Sequence, residues 1–252
     1  MQTKPTSAYV HIPFCVRKCE YCDFLSFPAD DETQLRYIKG LMAEMIFYGP
    51  VLKDYEVSTI YIGGGTPSWL NEEWIAALLE GIFECFNVKE DAEISIECNP
   101  GTLTLNKLLT YRDAGVNRLS IGLQSTNDEE LKLLGRIHTY DQFVKNYEMA
   151  RNVGYKNISV DLMYGLPQQT TEKYLDTVNR IVRLKPDHIS AYSLIVEKGT
   201  PFYEKYKFDM VKQEAGMRTE FLPNEDELYE MEKAGQEQLF DAGYKQYEIS
   251  NY

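Results

Sequence analysis

The chain has 252 residues, 44% hydrophobic and 26% charged, a balance that supports a real core and excludes a disordered or fibrous protein. With 26 Lys and Arg against 39 Asp and Glu, its net charge is −13, which argues against non-specific nucleic-acid binding and for a soluble chain. The opening MQTKPTSAYVHIPF has no apolar stretch of the signal-peptide kind, and no apolar run nears the ~20 residues that span a bilayer, so no membrane span and a cytoplasmic location are expected.

In chain order, a short apolar strand is predicted at 8–12. A helix follows, with Leu35, Ile38, Leu41, Met45 and Tyr48 on one face, opened by Asp31 as cap with Gln34 as its box partner. Strands at 59–62, 93–97 and 118–123 then alternate with helices at 72–86 and 105–114. A helix at 140–153 leads to a strand at 158–163. The face Leu175, Val178, Ile181 and Leu184 marks the next helix, stopped near Pro186 before a strand at 188–194. Residues 197–223 show no period and carry Gly199, Pro201, Gly216 and Pro223, which reads as a long excursion with a short helix. Asn224 with Glu227 opens a last helix ending near Gly243.

A weak repeat runs through this succession. Segments 112–124, 151–163 and 240–250 each join a helix end, a glycine (Gly115, Gly154, Gly243), a short turn and a strand. The glycines stand where a helix end needs a left-handed residue. Strands alternating with helices imply parallel βαβ units, and six to seven of them suggest a partial or complete barrel. In such folds chemistry gathers at the C-terminal ends of the strands. Here those ends carry Cys15, Cys19 and Cys22, then Gly63–Gly64–Gly65–Thr66–Pro67, Glu97 with Cys98, Gln124, Asp161 with Gly165, and Ser193 to Ile195.

Three of the five cysteines lie within eight residues, as C-x3-C-x2-C. An odd count argues against a disulfide framework, and the clustering points to a metal. Three thiolates from one loop suit an iron–sulfur cubane with one iron left open to a small molecule. Ile12, Pro13, Phe14, Tyr21 and Phe24 would supply an apolar wall around it. A structural zinc site remains an alternative, with His11, Cys85 or Cys98 as a fourth ligand. Cys85 otherwise reads as a buried structural thiol, and His11, His138 and His188 as packing or hydrogen-bonding residues. The run TIYIGGGTP lacks both the G-x-x-x-x-G-K-[ST] and the G-x-G-x-x-G patterns, so it is not read as a phosphate loop. Its glycines allow close approach of a ligand and offer N–H groups to a carboxylate.

Taken together, YVHIPFCVRKCEYCDF, YIGGGTPS, ISIECNP, LSIGLQS, LGRIHT and VDLMYGLPQQT closely resemble the HemN/HemW branch of radical S-adenosylmethionine (SAM) proteins, the oxygen-independent coproporphyrinogen III oxidases and their haem-chaperone relatives. The resemblance implies an α/β fold, a partial (β/α)6 TIM-like barrel of parallel strands. It implies a [4Fe–4S] cluster on Cys15, Cys19 and Cys22 with an open iron for SAM. It implies that Tyr9, Tyr21, Gly64, Gly65, Thr66, Glu97, Gln124, Arg136, Asp161 and Ile195 bind SAM, some of them a second SAM in the oxidase branch. Reductive SAM cleavage would give a 5′-deoxyadenosyl radical, which in the oxidase attacks a propionate side chain.

Two departures refine this. The oxidase branch carries a further cysteine two places after the third, where this chain has Phe24, and the resulting C-x3-C-x2-C-x-F resembles the haem-chaperone side. The expected function is therefore a haem chaperone that delivers haem to an acceptor protein. Coproporphyrinogen oxidation, with flavodoxin or ferredoxin as electron donor, is the alternative, and a zinc module without SAM a third reading. Secondly, the family continues past YEISN into a C-terminal domain associated with haem, so 1–252 is expected to be a radical SAM core domain without it.

Overall fold

Strands and helices alternate through the computed structural model, which describes residues 3–252. The strands are β1 (Lys4–Ile12), β2 (Tyr55–Gly64), β3 (Asn87–Cys98), β4 (Arg118–Gln124), β5 (Asn157–Tyr164) and β6 (His188–Ser193). They form one sheet in the order β1-β2-β3-β4-β5-β6. β2 runs parallel to β1 and β3, and β6 parallel to β5. The helices are α1 (Asp31–Tyr48), α2 (Glu72–Cys85), α3 (Leu105–Asp113), α4 (Asp128–Leu133), α5 (Tyr140–Val153), α6 (Thr171–Leu184), α7 (Pro201–Glu214) and α8 (Glu225–Asp241). This is the α/β succession that the sequence predicts for a (β/α)6 fold. β4 and β5 are buried along almost their whole length, as parallel strands covered on both faces must be. Among the described residues no helix is long and apolar enough to cross a membrane.

The chain divides into two compact units. The first takes in the chain up to Lys18, Phe24–Ser120 and Lys145–Asn157, and the second Cys19–Asp23, Ile121–Val144 and Ile158–Tyr252. In the first, Ile12, Ile60, Ile62, Leu78, Ile94, Ile96 and Leu108 are fully or almost fully buried. In the second, one apolar cluster joins Leu134, Met163, Leu166, Val196, Phe202, Tyr206 and Leu222. α8 packs on α6 so closely that a Cβ on Gly235 would stand 2.6 Å from the Tyr174 ring.

Several expectations are corrected. Asp30, not Asp31, caps α1: its backbone is extended and its side chain accepts from the Thr33 N–H, while Gln34 donates to the Ala29 carbonyl instead of closing a box. Asn224 and Glu227 do form the predicted capping box on α8. Gly115, Gly154 and Gly243 all have the left-handed φ expected of them. The third copy of the repeat, however, yields no strand. After Gly243 the chain turns at Glu248 to Asn251, and Tyr252 and Ser250 bond to Ile189 and Ala191 of β6, with an antiparallel bridge at Ser190 and Asn251. α4, only six residues long, has too few turns to show a period. Cys85 is half-buried at the last turn of α2 rather than buried.

The excursion 197–223 holds a full helix of 14 residues, α7, capped by the Thr200 side chain with Pro201 at its first position. Its return is tied down by Asp209, which is buried and accepts from the backbone N–H groups of Glu220, Phe221 and Leu222. Burial alone would push this carboxyl up, but the three N–H groups and Lys212 outweigh it and hold it below the ordinary carboxylate range. A depressed value means that the stabilising contribution is present above the unfolded-state value and is lost as pH falls through the folded one. Asp209→Asn, which turns a donor toward these N–H groups, should cost about 1–3 kcal/mol in urea unfolding at neutral pH. The cost should shrink in acid; an equal cost at both pH values would show that the charge plays no part.

Candidate functional site

In the first unit, the predicted residues gather where β1 and β2 end. Their parallel register sets Ile12 beside Gly64 and Tyr9 beside Tyr61. The ladder continues past the strands, with Gly65 N–H on the Ile12 carbonyl and Thr66 N–H on the Phe14 carbonyl, both 2.8 Å. This draws the glycine run against the first cysteine. A Cβ on Gly65 would lie 2.7 Å from the Phe14 oxygen and 2.9 Å from Cys15 Sγ, and one on Gly64, whose φ is +123°, 2.8 Å from the His11 ring. Side chains are excluded there by contact with the chain itself. Cys15 is buried and accepts from Thr66 Oγ1 at 3.5 Å. The chain returns beside it: Cys15 N–H meets the Phe27 carbonyl and Phe27 N–H the Pro13 carbonyl. Phe14 packs edge-on against Phe27 and Tyr37.

Glu97 closes the other side of this group. It accepts from the Tyr61 hydroxyl and from the Gly64 N–H, both at 2.9 Å. Burial pushes its carboxyl above the ordinary range against the pull of these donors. The N–H groups of Gly64, Gly65 and Thr66 are thus all engaged within the protein, and the carboxylate that meets the loop is its own Glu97; the expectation of free N–H groups is corrected. Tyr9 is 60% exposed and stacks on Tyr61. His11 bonds through Nε2 to the Leu25 carbonyl, which can only accept, leaving Nδ1 to accept from the Tyr9 hydroxyl. The predicted apolar wall holds for Ile12, Pro13 and Phe14, all buried, but not for Phe24, which is 70% exposed.

In the second unit, Cys19 to Asp23 is pinned through Glu20, whose N–H bonds to the Leu134 carbonyl and whose carbonyl accepts from Phe202. Cys19 and Cys22 are half-buried and joined by a tight turn, Cys22 N–H to the Cys19 carbonyl. Arg136 donates from Nη1 to Cys19 Sγ at 3.7 Å and from Nη2 to the Gly122 carbonyl. Around Gly122 three predicted residues converge: a Cβ there would lie 3.1 Å from Gln124 Nε2, 3.3 Å from Arg136 Nη2 and 3.9 Å from Asp161 Oδ2. Gln124 has a left-handed φ of 78°, strained for a residue with a side chain. Tyr21 packs on Phe202, and burial, then the charges of Cys19, Cys22 and Asp161 against that of Arg136, holds its phenol protonated. Ile195 lies just past β6 and is exposed.

Two residues here escape sequence reasoning. Tyr192 donates to Gln124 Oε1 at 3.0 Å and fixes which way the amide faces. Gly122 leaves the gap into which Gln124, Arg136 and Asp161 reach; a glycine inside a strand so buried was its one signal.

The surroundings of the thiols bear on what they can hold. Among the described residues no three Cys, His, Asp or Glu side chains form a preformed metal-ligand group. Cys15 and Cys19 each have a side-chain donor at the sulfur, an environment that suits a thiolate ligand. Of the residues weighed as a fourth zinc ligand, His11 and Cys98 are otherwise engaged. His11 uses both ring nitrogens. Cys98 is buried, contacts the Ile96 carbonyl, and is pushed up by burial, so its thiol stays protonated. His138 is buried and, by that burial and then by Arg136, lowered to about 3, and His188 is bonded to Ser159 and Tyr247. Gly65→Ala should expose Cys15 by displacing the Phe14–Cys15 turn. The check is the rate of Cys15 alkylation, expected to rise severalfold; an unchanged rate would mean the turn has room for a methyl group.

The model of the radical SAM superfamily matches residues 9–181. The heme chaperone HemW of Escherichia coli (strain K12) is 39% identical over 254 residues, covering 98% of this chain and 62% of that protein. The heme chaperone HemW of Bacillus subtilis (strain 168) is 38% identical over 250 residues, covering 98% and 63%. Among solved structures, the coproporphyrinogen III oxidase HemN from Escherichia coli, described as a radical SAM enzyme, superposes with a TM-score of 0.87 at 29% identity, covering 100% of this chain and 56% of that one. The chain spans less than two thirds of the length of these relatives.

Proposed function

Because the chain belongs to the radical SAM superfamily, we propose that Cys15, Cys19 and Cys22 together hold a [4Fe–4S] cluster beside bound SAM, in a protein that serves as a haem chaperone. Superfamily membership implies the cluster and SAM; the ligand set and the haem are our reading. The observation that carries the chaperone reading is the identity with proteins named heme chaperone HemW along nearly the whole chain. Phe24, in place of the oxidase branch's extra cysteine, supports it.

When bound, cluster and SAM supply one-electron reductive cleavage of the sulfonium. The chain's own residues account for the rest. Gly63 to Gly65 keep the floor beside Cys15 free of side chains, and Glu97 holds that loop in place through Gly64 and Tyr61. Gln124, Arg136 and Asp161 offer an amide, a cation and a carboxylate at one spot, a set that suits the amino-acid end and hydroxyls of SAM. Tyr9, Tyr21, Thr66 and Ile195 complete the group in our reading. Haem or porphyrin, a haem-acceptor protein, and a flavodoxin- or ferredoxin-like electron donor are the partners, in the cytoplasm.

Anaerobic reconstitution with iron and sulfide should load about four irons per chain, with an EPR signal that changes when SAM is added. Cys15→Ala, Cys19→Ala and Cys22→Ala should each abolish that four-iron signal; full loading of any one of them would sink the ligand assignment. The fold likeness to HemN favours a second reading, porphyrinogen oxidation. Equimolar haem uptake by absorbance titration of the full-length protein, without conversion of coproporphyrinogen under dithionite and SAM, is the expected outcome. Turnover of coproporphyrinogen coupled to deoxyadenosine release would replace the chaperone reading with the enzymatic one.

A further inference from the structure

Cys15 and Cys19 each receive a hydrogen bond from a side chain. In the first unit, Thr66 Oγ1 donates to Cys15 Sγ, with both residues buried. The hydroxyl is well anchored, because the Thr66 backbone N–H is fixed on the Phe14 carbonyl and its carbonyl accepts from Trp69. In the second unit, one arm of the Arg136 guanidinium reaches Cys19 Sγ while the other holds the Gly122 carbonyl. The planar fork therefore cannot swing off the sulfur without giving up its second bond. The resemblance to relatives assigns both residues to SAM; neither contact with sulfur needs SAM to be present.

We propose that Thr66 and Arg136 are positioning residues that set the reduction potential of the iron–sulfur group through the sulfurs of Cys15 and Cys19. This rests on the cluster reading given above. Reduction adds one electron, taking a 2+ core to 1+, and the electron comes from an external low-potential one-electron donor. Hydrogen bonds to a ligating sulfur withdraw charge from it and so favour the form with the added electron. Thr66 contributes a neutral dipole. Arg136 contributes a dipole and a full positive charge in a partly water-excluded setting, so its effect is the larger.

The test uses wild type, Thr66→Val, Thr66→Ser, Arg136→Met and Arg136→Lys, reconstituted anaerobically and without SAM. Iron and sulfide are counted first; the midpoint potential then follows from EPR during a dithionite titration. Thr66→Val and Arg136→Met should both move the midpoint to more negative values, Arg136→Met by about tenfold in the reduction equilibrium, equivalent to about 59 mV for one electron. Thr66→Ser should restore the wild-type value, and Arg136→Lys, which keeps the charge but not the fork, should fall between. Variants with full iron content and an unchanged midpoint overturn the inference and leave the cluster reading intact. Wild type that takes up no cluster overturns the cluster reading, and the inference with it. Should Arg136→Met lose iron, Arg136→Lys and Thr66→Val decide the point by the same measurement.

Discussion

The first half of the candidate site depends on one hydrogen-bond ladder that does not stop where the strands do. β1 and β2 pair in parallel up to Ile12 and Gly64, and the pairing then carries on through Gly65 and Thr66 onto the Ile12 and Phe14 carbonyls. Because the ladder runs on, the glycine run is pressed against Cys15, the Thr66 hydroxyl meets its sulfur, and Gly64 offers its N–H to Glu97. Gly64 and Gly65 follow from the same constraint, since a Cβ there would stand 2.9 Å from the Ile12 carbonyl and 2.7 Å from the Phe14 carbonyl.

The second unit solves a different problem. Polar side chains have to stand at the end of buried strands without being left unpartnered. Tyr192 occupies the Gln124 carbonyl, and Arg136 divides its fork between a backbone oxygen and a thiol. The left-handed backbone at Gln124 shows that the arrangement is held against local preference, as strained residues at working sites often are.

The sequence makes the strand cores legible, because the apolar stretches around Ile121 and Val160 are buried on both sides and the one around Ile189 alternates. It does not show the polar flanks. Lys4 to Thr6 and Asn87 with Val88 are strand residues because a neighbour offers a ladder, not because of their own side chains. The sequence shows α7 only as a short helix although Thr200 and Pro201 spell a helix start, since its faces are apolar on more than one side: Phe202 and Tyr206 are buried while Phe208 and Val211 are exposed. The cysteines, Glu97, Gln124 and Asp161 stand out by chemistry and by position at strand ends, and Arg136 only through the resemblance that LGRIHT helps to carry. Tyr192 does not, because its partner is 68 residues away and nothing local marks it.

The bridge between Phe14 and Phe27 has a consequence for ligand chemistry. It clasps both ends of the segment that carries all three clustered cysteines, so the cost of closing a loop of that length, about 2 kcal/mol by polymer statistics, is met by the bridge and the edge-on rings. With Cys15 fixed, chain connectivity alone keeps Cys19 within roughly 14 Å of it. The segment is a tether as well as a ligand source. A thiophilic group leaving one sulfur stays in reach of the others, which is the chelate effect written into the backbone.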